Sequence, residues 1–87
     1  MDNAQLLQNL EGLADQLSVE IRYEDLDGSL GGLFRLRGRS CILLDRNLSV
    51  AERVKLMSKS LAKLHLDGVF IPPAVREILE QRVTSSS

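Results

Sequence analysis

Three features of this chain predict an α+β domain, with helices packed on a small three-stranded sheet. Residues 3–17 and 49–66 repeat apolar residues at helical spacing, whereas residues 19–45 between them change to a period of two broken by glycines. A proline pair then leads into a third apolar repeat at residues 74–83. The expected order is helix, three strands, long helix, short helix, with the sheet mainly antiparallel. A chain of 87 residues has room for one core, so residues 1–83 are expected to form a single domain and residues 84–87 a disordered serine-rich tail.

Each element has its own justification. In the first helix Leu6, Leu10, Leu13 and Leu17 make one stripe, widened by Leu7 and Ala14, and Asp2 or Asn3 can cap the first turn. Gly12 costs this helix about 1 kcal/mol relative to alanine, which the apolar face outweighs. Val19, Ile21 and Tyr23 alternate with Glu20, Arg22 and Glu24, the pattern of a strand with one wet face. Turn chemistry follows at residues 25–29, with Gly31-Gly32 as a second flexible point.

Over residues 33–37, Phe34 and Leu36 point one way and Arg35 and Arg37 the other, and Gly38-Arg39 is expected to connect a hairpin. Residues 40–45 are apolar on both faces and belong inside the sheet. Ser49 and Glu52 form a capping box at the start of the second long helix, with Leu48 as its staple and Gly68 placed to end it. Residues 70–73 should be extended. Pro73 suits the first turn of a third helix docked by Val75, Ile78 and Leu79.

Composition narrows the function classes. Hydrophobic residues make up 44% of the chain, which suits a folded globule; only Tyr23, Phe34 and Phe70 are aromatic, so the core must be aliphatic. A net charge of −1 argues against general attraction to nucleic acid or anionic membranes. The lone Cys41 lies in an apolar run and reads as a buried thiol. With no basic leader and no apolar run near the ~20 residues of a membrane span, a cytoplasmic location is expected.

The early helix ending in Ala14-Asp15-Gln16-Leu17, the strands at 19–23 and 42–45, Gly32, and the helix reaching residues 57–64 together resemble the ImmA/IrrE-type zinc metallopeptidases, a minimal zincin family. The resemblance covers residues 5 to 66 and implies a zincin-like, bacterial protein. In that family the second long helix carries H-E-x-x-H, two histidines for zinc and a glutamate for water. The matching positions here read Lys59-Ser60-Leu61-Ala62-Lys63. A protonated lysine has no lone pair for a metal, and Ser60 supplies no carboxylate base. The resemblance therefore implies an inactive homologue, with no cofactor, metal or catalytic residue expected.

Other sites read weakly. His65 with Asp67 gives two ligands, too few for zinc, and Glu77 or Glu80 near the family's third ligand position has no weight without the histidines. Gly28 and Gly31-Gly32 suggest a turn rather than a phosphate loop. The leading reading is a protein or peptide interaction module. Its candidate binding residues are Arg35 and Arg37 on an edge strand, selecting an acidic partner, with Lys59 and Lys63 on the helix. One alternative is nucleic-acid binding through Arg35, Arg37, Arg39 and Arg46, joined by Lys55, Lys59 and Lys63; another is an enzyme whose metal site is completed by His65 across a dimer. A homodimer is expected to use apolar surface at Leu48, Leu66 and Phe70.

Overall fold

The computed structural model describes residues 2–29, 31–64, 66 and 68–85, the last five by backbone alone. α1 spans Asn3–Gln16, β1 Glu20–Glu24, β2 Gly31–Leu36, β3 Arg39–Asp45, α2 Val50–Leu61 and α3 Pro73–Ser85. This is the α+β order expected from the apolar periods.

α1 starts where the Asp2 carboxylate accepts from the Gln5 amide at 2.8 Å, and it buries Leu6, Leu7, Leu10, Leu13 and Ala14. Its end is closed by two backbone bonds, from Val19 N–H to Ala14 C=O at 2.8 Å and from Ser18 N–H to Asp15 C=O at 3.1 Å. That is a Schellman closure with Ser18, at φ 59°, in the position usually held by glycine. It satisfies orphan carbonyls and turns the chain straight into β1.

The strands lie in the order β1-β3-β2. β3 takes the centre, as its two-sided apolar pattern requires. The sheet is mixed rather than mainly antiparallel: β2 pairs with β3 antiparallel, but β1 pairs with β3 in parallel, from Glu20 opposite Cys41 to Glu24 opposite Asp45. The reason lies in connectivity. A two-residue turn makes β3 run opposite to β2, and β2 takes the far side of the central position from β1, so β3 returns beside β1 in the same direction. That hairpin turn is Arg37-Gly38, with φ 55° and 80°, so Arg37 belongs to the turn and Arg39 already to β3. Two positive φ angles are the signature of the type I′ turn that matches strand twist.

On one face of the sheet Ile42 and Leu44 are wholly buried, flanked by Ile21, Tyr23 and Leu33. α1 packs against β1, α2 against β2 and β3, and α3 against the two other helices. α2 opens with the expected capping box: the Ser49 hydroxyl accepts from the Glu52 amide at 3.2 Å, and the Glu52 carboxylate accepts from the Ser49 amide at 3.1 Å. Leu48 is buried beside it.

α2 stops at Leu61, short of the expected residue 66. Past Leu61 the bonds tighten to i−3, from Lys63 N–H to Ser60 C=O and from Leu64 N–H to Leu61 C=O, and these turns bring Leu64 and Leu66 against the core. Gly68, at φ 77°, serves a later turn rather than the helix cap. α3 begins at Pro73 and docks through Val75, Leu79 and Ile78. It includes Thr84 and Ser85, two residues of the expected tail; Ser86 and Ser87 lie outside the described residues. Among the described residues no helix is long and apolar enough to cross a membrane.

Gly31 is required where it sits. It holds φ 113°, and a Cβ there would overlap the Leu43 carbonyl of the neighbouring strand. Gly31→Ala should therefore lower stability by about 1–3 kcal/mol, read as an earlier midpoint in urea denaturation.

A candidate edge-strand interaction site

β2 is an edge strand, and hydrogen-bond parity identifies its open groups. Leu36 and Arg39 flank the two-residue turn and form a hydrogen-bonded pair. Such pairs recur every second residue, at Phe34 with Cys41 and Gly32 with Leu43. Leu33 and Arg35 consequently direct their backbone N–H and C=O groups away from the sheet, toward whatever lies beside it.

The side chains of β2 separate as expected, but the apolar pair takes the uncovered side. Leu33 and Arg35 share the helix-covered face with Ile42 and Ser40, and Leu33 packs against the core. Phe34 and Leu36 share the other face with Cys41 and Leu43 and remain 37% and 46% exposed. The opposite edge differs. There β1 presents Glu20, Arg22 and Glu24 on the uncovered face, with Arg22 Nε 3.6 Å from Glu20 and 3.8 Å from Glu24. Exposed pairs of this kind contribute little stability, yet a charged row discourages strand addition. β2 has no such row.

The arginines do not form one patch. Arg35 is held against its own hairpin, donating to the Gly38 carbonyl at 2.8 Å, and Arg37 is exposed in the turn. Arg39 donates to the Ser18 carbonyl at 3.3 Å, linking the hairpin to the end of α1. Arg46 lies beyond the opposite end of β3, where its carbonyl accepts from Arg53. Lys59 is exposed in the last turn of α2 and Lys63 is exposed beyond it, so the pair does not lie on one continuous helix as two metal-binding histidines would. Ser60 is buried. A shallow depression at the start of α2 is lined by Leu48, Glu52, Lys55 and Leu56, and neither of those two lysines borders it.

His65 and Asp67 lie outside the described residues, as does any site built on them. Among the described residues no three His, Cys, Asp or Glu side chains cluster as metal ligands would. Of the surface expected for dimerisation, Leu48 is buried and Leu66 packs against the core, leaving Phe70 exposed at 75%.

A polar network that spacing does not reveal ties three elements together. The Tyr23 hydroxyl donates to Glu11 at 3.3 Å, and the Arg53 guanidinium stands 5.1 Å above the Tyr23 ring. Burial, then the Glu11 charge, push the Tyr23 pKa above its ordinary 10.0. Burial, then Glu20, likewise raise the Cys41 thiol, whose Sγ is 3.9 Å from the Glu20 carboxylate. Cys41 is thus held in its unreactive protonated form.

Two measurements check these environments. Tyr23 favours its neutral form in the fold, so its contribution is fully present below pH 10.0 and lost as pH rises through the raised value. Tyr23→Phe should remove that part of the alkaline decline in stability. Native Cys41 should react with a thiol reagent only as fast as the chain opens, and immediate labelling would contradict its burial.

Comparison with known proteins finds no matching family, no matching curated protein and no matching solved structure. The chemistry of the β2 edge is what remains to be read for function.

Proposed function

We propose that this chain is a non-catalytic protein-interaction module that receives an extended, acidic segment of a partner along β2. The observation that carries the proposal is the open edge itself, where Leu33 and Arg35 offer unpaired backbone groups beside an apolar pair. A strand added there gains main-chain hydrogen bonds, while side chains select its sequence. Arg35 and the exposed Arg37 favour carboxylates at the hairpin end, and Phe34 with Leu36 favours apolar residues on the other face. In this reading the module is an inactive zincin-like frame, with Lys59 and Lys63 in place of metal ligands although the end of α2 separates them. Lys59 in the last turn of α2 and Lys63 beyond it offer positive charge for outlying parts of the same partner.

A peptide of alternating valine and glutamate, titrated into isotope-labelled protein, is expected to shift the amides of β2 and the hairpin and few others. Reversing both charges (Arg35→Glu with Arg37→Glu) should weaken that binding about tenfold and turn preference toward a lysine-containing peptide. Shifts centred on α2 or α3, or affinity indifferent to the reversal, would refute the edge as the binding site.

A further inference from the structure

We propose that, without a partner, two copies of this chain close the β2 edge against each other as a two-fold antiparallel pair with Phe34 opposite Phe34. The inference shares the open edge with the function proposed above but does not rest on an acidic peptide partner.

Gly32 is the first observation. Its neighbour Gly31 is imposed by a positive φ and by the Leu43 carbonyl, but Gly32 needs neither: its φ is not in the left-handed range, and an added Cβ would meet nothing within 4 Å. A glycine in an edge strand with open space above it, and without a backbone reason, leaves room for a close approach from outside. Among the described residues, nothing within one copy fills that space.

Register supplies the occupant. A two-fold axis perpendicular to the sheet keeps each side chain on its own face, so only residues of equal parity can lie opposite each other. Centring the axis on Arg35 would oppose two guanidinium groups, which is unfavourable. With the axis on Phe34, the outward groups of Leu33 bond those of Arg35 in the second copy, and the reverse. On the uncovered face Phe34 then meets Phe34, and each Leu36 lies over the Gly32 of the other copy. Both exposed apolar residues of β2 are covered at once.

Charge is the second, independent observation. The loop leading into β2 carries Asp25 and Asp27, and the hairpin end of β2 carries Arg35 and, in the turn, Arg37. Antiparallel self-pairing lays the acidic lead-in of each copy against the basic hairpin of the other; parallel pairing would set like against like. An acidic partner segment would compete for the same groups, making the dimer a resting state that the partner opens.

Sedimentation equilibrium over a wide concentration range should show mass rising from 9.7 kDa toward twice that value. Gly32→Lys places a charge in the space Leu36 would fill; it should weaken dimerisation about tenfold or more without lowering the thermal midpoint, because the single copy accommodates a side chain there. In a Cys41→Ala background, Phe34→Cys should cross-link to itself on mild oxidation and Arg35→Cys should not. A chain that stays at 9.7 kDa to millimolar concentration, or a dimer indifferent to Gly32→Lys, overturns the proposal. Peptide binding by a strictly monomeric chain would sink only this inference. A dimer that ignores the acidic peptide would sink only the binding function.

Discussion

The middle position of β3 is the constraint on which the rest of the molecule depends. Ile42 and Leu44 are wholly buried on its helix-covered face, and Cys41 is buried on the other. Each large aliphatic side chain so placed contributes roughly 1.5–3 kcal/mol through burial, a substantial share of the margin available to a chain this small. Between two neighbours, side chains flank β3 on both faces: Ile21 and Leu33 beside Ile42 on one, Glu20 and Phe34 beside Cys41 on the other. Once it is central, β1 and β2 must both be edges, and the tight hairpin decides which backbone groups of β2 are left without partners.

The two edges are finished differently, and that difference gives the functional reading its direction. β1 carries a row of alternating charge on its uncovered face, whereas β2 carries Phe34 and Leu36 there and keeps its arginines for the other face and the turn. Gly31 and Gly32 show the same contrast within two residues. The first is dictated by the inside of the fold, whereas the second has open space above it.

Much of this was readable from local pattern. The leucine stripe of α1, the Ser49–Glu52 capping box and the two-sided apolar run of β3 all report short-range physics, and each is found where its residues predict. What escaped depends on contacts between distant segments. Parallel pairing of β1 with β3 follows from how the chain crosses the sheet end, which no period encodes. The early stop of α2 comes from tightening turns that bring Leu64 and Leu66 to the core, although the apolar spacing continues past Leu61. The Glu11–Tyr23–Arg53 network joins three elements and leaves no mark in spacing. Lys59 and Lys63 were legible as a spacing, yet the end of the helix separates them.

Native-state hydrogen exchange in dilute solution tests the arrangement most directly. With β3 bonded on both sides, every amide from Cys41 to Leu44 should exchange slowly, because successive residues bond alternately to β2 and β1. Along β2 protection should alternate, with Gly32, Phe34 and Leu36 slow and Leu33 and Arg35 fast. Fast exchange at every second position of β3, or full protection of Leu33 and Arg35 at the lowest concentration, would show that β3 is not the central strand or that the β2 edge is not open.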